Sequence, residues 1–205
     1  MDQPILLRHD TGAIATLTLN APDSFNALSD AMLAALAAQI EGLAADRTIK
    51  VVVLKAVGRA FCAGHDLKEM QAGRAAPDAG AAYFQSLFAR CGAVMMGLQT
   101  LPQPVIAQVH AIATAAGCQL VASCDLVVAA SGVRFGVNGV NIGLFCSTPM
   151  VALSRKVPPA VAFEMLTTGE FILAERAHEV GLVNRVVPPD RKSTRLNSSH
   201  RPLSR

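Results

Sequence analysis

Two apolar, strand-like runs in this chain each end in a turn of small residues that opens directly into a helix. The first is Ile49–Leu54, followed by a loop containing Gly58 and then Phe61-Cys62-Ala63-Gly64-His65-Asp66-Leu67, with the helix starting at Asp66. The second is Val105–Val109, followed by Ala113-Thr114-Ala115-Ala116-Gly117-Cys118-Gln119-Leu120. Units of this kind predict packed α/β layers. They also bear on chemistry. A small-residue turn ahead of a helix leaves backbone N–H groups unpaired, and no side chain crowds the approach to them. Two such turns can supply both donors that hold a developing oxyanion.

The rest of the chain fits the same plan. Residues 5–9 and 13–19 alternate around Thr11-Gly12, a hairpin signal. Ser29 is placed to cap a helix running to about Ala45, with Leu33, Leu36, Ile40 and Leu43 on one face. After the loop Arg74–Asp78 comes a long helix with Tyr83, Phe84, Leu87, Phe88, Cys91, Val94, Met95 and Leu98 at three- and four-residue steps, stopped by Pro102 and Pro104. That stripe reads as core rather than as a ligand wall. A strand over Asp125–Ala130, helices over Pro158–Thr168 and Ala174–Val180, and a strand over Leu182–Val187 complete a repeated β–β–α pattern. No Gly-x-Gly-x-x-Gly occurs, so a dinucleotide cofactor has no support.

Composition matters because of the last sixteen residues. Residues 190–205 have no apolar periodicity and resemble a sequencing adapter read as protein, so they are expected to be a disordered, artefactual tail outside a single domain over residues 1–189. The tail holds five of the 18 Lys and Arg and one of the 15 Asp and Glu, which leaves 13 basic and 14 acidic side chains in the body, a net charge of −1. The basic balance therefore belongs to the tail, and a nucleic-acid footprint is not expected. No apolar run approaches the ~18 residues of a membrane span, and the N-terminus lacks a basic signal region. Cys62, Cys91, Cys118, Cys124 and Cys146 are odd in number, sit in apolar surroundings and form no Cys-x-x-Cys, which predicts buried reduced thiols, no metal site and a cytoplasmic location.

Over residues 5–188 the chain resembles the crotonase, or enoyl-CoA hydratase/isomerase, superfamily. The resemblance is carried by Ala21-Pro22 with Asn26-Ala27-Leu28, by Phe61–Leu67, by Gly117–Leu120 and Cys124-Asp125-Leu126. It continues through Thr168-Gly169, Ala174, Ala177 and Gly181-Leu182-Val183 to Val186-Val187-Pro188. It implies an α/β, crotonase-like repeated β–β–α spiral fold, an acyl-CoA substrate with no other cofactor, and a homotrimer or dimer of trimers, with assembly doubtful for a chain ending in this tail. It implies that the N–H groups of Ala63 and Ala116 polarise the thioester carbonyl, alanine at 116 being acceptable where φ is negative. The CoA thioester would run past Phe25, Ala27, Leu28, Ala63, Gly64, His65, Asp66, Leu67, Ala115, Gly117, Asn138 and Asn141.

The family's hydratases add a pair of glutamates, and this chain has Gln119 and Gly139 at those positions. An amide cannot ionise. Positioned acid–base groups contribute roughly 10²–10⁴-fold each, so hydration of crotonyl-CoA should be very slow, and restoring both glutamates should raise it. The run Asn141–Pro149 resembles one branch, the enoyl-CoA hydratase domain-containing proteins, also present in mitochondria and with the same two losses. Two functions follow: an acyl-CoA enzyme of the lyase/isomerase type, acting in fatty acid metabolism with weak or altered activity, or a non-catalytic acyl-CoA-binding or assembly protein. His65 has two readings, a pantetheine contact or surrogate acid–base group, and a spacer at the helix start. His110 and His178 read as structural, Asp66 as an N-terminal helix charge, and Ser147 with Thr148 as a helix cap in preference to donors for a bound acyl group.

Overall fold

The computed structural model describes residues 4–189, and the expected tail lies outside the described residues. The chain opens with the antiparallel hairpin β1 (Leu6–Thr11) and β2 (Ile14–Leu19), and Gly12 takes a left-handed φ of +57° in its turn. A 3-10 turn, Pro22–Ser24, leads to α1 (Asp30–Ala45), whose first turn is closed by Ser29 Oγ accepting from Met32 N–H. Leu33, Leu36, Ile40 and Leu43 are buried as the spacing requires.

Three successive units then repeat one plan, a strand in a large sheet, a short strand in a small one, and a helix. The first is β3 (Val51–Ala56), β4 (Ala60–Cys62) and α2 (Leu67–Arg74), followed by the long α3 (Ala81–Thr100). The second is β5 (Val105–Val109), β6 (Ile112–Thr114) and α4 (Ala116–Ala122). The third is β7 (Leu126–Ala130), β8 (Arg134–Gly136), a 3-10 turn at Asn138–Ile142, and α5 (Ser147–Leu153). The chain closes with α6 (Pro159–Thr168), β9 (Ile172–Leu173), α7 (Ala174–Glu179) and β10 (Arg185–Val187).

The large sheet runs β1-β2-β3-β5-β7-β10 and is parallel apart from its hairpin; the small one runs β4-β6-β8-β9 and is parallel apart from β8–β9. Parallel strands need covered faces, and Val52, Leu54, Val105, Ala107 and Val109 are fully buried. The expected repeated β–β–α spiral is what the chain forms.

The aromatic stripe on α3 divides. Leu87, Cys91, Val94, Met95 and Leu98 enter the core, whereas Tyr83, Phe84 and Phe88 stay partly exposed and stack beside α2 and His65. All five cysteines are free and buried, and burial pushes the thiols of Cys62, Cys118 and Cys124 up to about 12. Among the described residues no helix is long and apolar enough to cross a membrane, and no cluster of His, Cys, Asp and Glu could hold a metal ion.

Candidate active site

The short strands of the small sheet deliver both functional turns. In the first, Ala63 N–H donates to Phe25 O (3.1 Å) and Leu28 N–H donates to Gly64 O (2.7 Å). Leu28 pairs with His65 in an isolated parallel bridge. In a parallel bridge the single residue bonds to the groups flanking its partner, so the partner's own N–H points to the opposite side. His65 N–H therefore faces away from Leu28 and has no main-chain partner among the described residues. Gly64, at φ +93°, makes this reversal possible. Asn26 pins the arrangement from below: it is buried, its Oδ1 accepts from Ala21 N–H (2.8 Å), and its Nδ2 donates to Val57 O and Ala60 O. Asp66 caps α2, Oδ1 accepting from Lys68 N–H (2.8 Å) and Glu69 N–H (3.3 Å), as its place at a helix start predicted.

In the second turn, Ala115 N–H donates to Gly136 O (2.9 Å) and Ala115 O accepts from Gln119 N–H (3.1 Å). Carbonyl 115 and amide 116 lie on opposite edges of one peptide plane. With the carbonyl directed along α4, the N–H of Ala116 points out of the helix's open end, where it has no main-chain partner among the described residues. Ala115 carries the turn at φ +51°, ψ −124°, while Ala116 is not left-handed. The two turns touch. A Cβ on Gly64 would lie 2.9 Å from Ala115 Cβ and 3.3 Å from Ala116 N, and a Cβ on Gly117 would overlap Cys62 O.

Both turns border a cavity of about 180 Å³ lined by Ala63, His65, Leu67, Met70, Thr114, Ala115, Asn138, Gly139, Ile142, Leu144 and Cys146. A second recess of about 310 Å³ adjoins it, sharing Leu67, Met70, Ile142 and Leu144 and reaching Arg74. Thr114 Oγ1 donates to Asn138 Oδ1 (2.5 Å), tying β6 to the 3-10 turn. The His65 ring stands edge-on to Phe88, centroids 5.7 Å apart, and among the described residues neither ring nitrogen has a hydrogen-bond partner. Burial lowers its pKa by disfavouring the charged imidazolium. His110 bonds to Gly58 O and His178 to Val183 O, the structural roles expected of them.

The structure corrects several expectations. Ala63 cannot supply a free donor, because its N–H is already bonded to Phe25 O; the free N–H of that turn belongs to His65. Gln119 and Gly139 do not face one cavity. Gln119 lines a separate cleft between α3, α4 and α5, and Gly139 is packed so that any Cβ would overlap Leu144 O and sit 2.8 Å from Cys146 Sγ. A glutamate restored at position 139 would collide with these neighbours, against the expectation that restoring both glutamates raises hydration. Asn141 is exposed and lies against Gly169, away from the cavity. Ala27 and Leu28 are buried, Gly117 lies under β4, and Phe25 is 45% exposed beneath Arg59; Phe25 and Leu28 act on the site through main-chain bonds. Ser147 is the first residue of α5 rather than its cap, and its side chain makes no capping bond. The wall residues Met70, Ile142, Leu144 and Cys146 escaped sequence reasoning, since they come from a helix interior and a loop without periodicity. Thr114 lay within the second small-residue run, which was the one available signal.

The model of the enoyl-CoA hydratase/isomerase family matches residues 9–200. The chain belongs to the enoyl-CoA hydratase/isomerase family. Among its family relatives, enoyl-CoA hydratase domain-containing protein 3, mitochondrial, of Xenopus laevis is 46% identical over 95% of this chain and 64% of its own length. The 2,3-dehydroadipyl-CoA hydratase of Escherichia coli is 37% identical over 86% of this chain and 67% of its own. The crystal structure of an enoyl-CoA hydratase from Mycobacterium smegmatis superposes with a TM-score of 0.90 at 58% identity, covering 95% of this chain and 74% of that one. The chain spans less than two thirds of the length of the frog, rat, mouse and human relatives it matches. Those four are named as mitochondrial proteins, which overturns the expected cytoplasmic location.

Proposed function

We propose that this family member binds acyl- or enoyl-CoA thioesters in the cavity between its two turns, the carbonyl oxygen accepting from the N–H groups of His65 and Ala116. One observation carries the reading: two backbone donors without main-chain partners among the described residues, on turns in van der Waals contact, beside one cavity. Such fixed donors stabilise an enolate oxygen without reorganising, each contributing about 10²–10³ in rate. Coenzyme A enters as part of the substrate, and Thr114, Asn138 and the apolar side chains of Leu67, Met70 and Ile142 surround the acyl group.

Turnover is weak or altered in this reading, because the acid–base pair is missing in two different ways. Gln119 cannot ionise and lies in another cleft, and Gly139 could carry a side chain only if the Leu144 backbone shifted. The titratable groups in the cavity wall are His65, whose pKa burial lowers, and Cys146, whose thiol pKa burial raises. The same two observations favour the second reading, an acyl-CoA-binding or assembly protein without turnover. Self-association into a trimer, or a dimer of trimers, belongs to the proposal as well. Calorimetric titration with butyryl-, hexanoyl- and octanoyl-CoA, paired with a crotonyl-CoA hydration assay, tests both. Binding with slow hydration supports the first reading, binding with no hydration the second, and no heat at millimolar ligand overturns both.

A further inference from the structure

The site above uses the backbone of His65 and leaves its side chain without a task. The imidazole lines the same cavity as the two donor turns, and among the described residues neither ring nitrogen has a hydrogen-bond partner. The ring meets Phe88 edge-on instead. A neutral imidazole carries one N–H donor and one lone-pair acceptor. Buried polar atoms without partners are few in folded proteins, and a catalytic role is one of the causes that retain them.

The other side chains of the cavity narrow that role. Leu67, Met70, Ile142 and Leu144 are apolar, and the Thr114 hydroxyl is tied to the Asn138 carboxamide, neither of which takes up a proton near neutral pH. Cys146 is the second titratable group of the wall, and burial raises its thiol pKa further above neutrality, so it keeps its proton. Burial acts on His65 in the opposite sense and favours the form with a free lone pair. The neighbouring carboxylates do not line the cavity: Asp66 caps α2, and Glu69 accepts from Asp30 N–H. His65 is therefore the one side chain of this wall that can both accept and return a proton.

We propose that the His65 imidazole carries a proton from and to the α-carbon of an acyl thioester held by the His65 and Ala116 N–H groups, an inference that rests on the binding mode proposed above. Covalent connectivity favours this placement. The ring and one of the oxyanion donors belong to the same residue, and the α-carbon is only two bonds from the oxygen that accepts from that donor. The Cα–H bond breaks, the proton passes to the ring lone pair, and the electron pair left behind moves onto the thioester oxygen as an enolate facing both donors. Once the ring has exchanged its proton with water, the reverse step restores the thioester with a solvent hydrogen at the α-carbon, and nothing is oxidised or reduced. Hydration asks for more, because a second group must activate water for the β-carbon, and neither Gln119 nor Gly139 supplies one. The chain is thus expected to exchange α-protons faster than it hydrates.

The test incubates the full chain with butyryl-CoA in D₂O and follows deuterium at the α-carbon by proton NMR, with calorimetry for binding, in wild type, His65→Gln and His65→Ala. Both variants keep the backbone N–H at position 65, and glutamine still donates and accepts hydrogen bonds but takes up no proton. A positioned base contributes roughly 10²–10⁴-fold, so exchange should fall at least a hundredfold in both variants while butyryl-CoA binding is retained. Free imidazole added to His65→Ala should restore part of the exchange. Circular dichroism checks folding; if neither variant folds, wild type decides, and exchange above the buffer rate supports the proposal because no other side chain of the cavity can take the proton. Exchange that survives His65→Gln unchanged overturns it. Butyryl-CoA that binds to wild type without exchanging overturns the proton transfer alone and leaves the proposed function standing. Failure of butyryl-CoA to bind at millimolar concentration removes the proposed function, and this inference with it.

Discussion

Ala115 sits at φ +51°, a left-handed conformation that costs a residue with a Cβ about 1–3 kcal/mol. Ala115→Gly should therefore raise stability by about 1 kcal/mol, less the entropy that glycine adds to the unfolded chain, and a shift of the urea midpoint to higher concentration checks it. Gly139 is the opposite case. Because its Cβ would overlap Leu144 O, Gly139→Glu should destabilise the chain by several kcal/mol, on the order of a severe overpacking. The double variant Gln119→Glu/Gly139→Glu should then fail to gain crotonyl-CoA hydration; a rise in rate with an unchanged melting temperature would contradict the packing described here. The first turn also marks how far the sequence could be read. Spacing located both small-residue turns and the resemblance pointed to Ala116 in the second, but neither showed that the first would free the N–H of His65 rather than that of Ala63. In a regular extended segment residues 63 and 65 would point their N–H groups to the same side. Gly64 at φ +93° breaks that alternation, so Ala63 bonds to Phe25 and His65 turns to the other side. A φ value at one glycine has no signature in spacing.

At the scale of elements, the junction of β4, α2 and α3 holds His65 between Leu28 and Phe88. Burial lowers the His65 pKa in the folded state below its ordinary value near 6.5. The unfolded chain then binds more protons than the folded one as pH falls below about 6.5, so this group contributes nothing unfavourable above that pH and destabilises increasingly below it. The charged groups nearby are engaged elsewhere, Asp66 as the cap of α2, Glu69 on Asp30 N–H, and Asp30 with Arg90. Stability measured by urea unfolding should fall between pH 7 and pH 5, and His65→Gln should flatten that slope. An unchanged slope would mean that the ring is solvated. Element types were legible from periodicity because most helices and strands here bury a regular face. The exception is α3, whose aromatic half follows the helical period yet packs over α2, since period alone does not say which neighbour covers a face.

For the whole molecule, the spiral of β–β–α units was legible because apolar strands and small-residue turns recur in order, with few alternatives that bury every strand. The surface was not legible in the same way. Ile142 (65% exposed), Phe145 (47%), Phe163 (69%) and Leu173 (51%) leave large apolar side chains in water, an arrangement that favours burial against another protein surface. The 21.4 kDa chain is expected to self-associate, and light scattering at micromolar concentration should give a mass well above that of the monomer; a monodisperse monomer would argue that these side chains need no partner. The central claim concerns two backbone N–H groups and one carbonyl. It is tested most directly by difference infrared spectroscopy of hexanoyl-CoA carrying ¹³C at the thioester carbonyl, bound to the protein. Polarisation by His65 and Ala116 predicts a bound carbonyl stretch at lower frequency than in free hexanoyl-CoA. A ligand that binds with its carbonyl stretch unshifted would contradict the account.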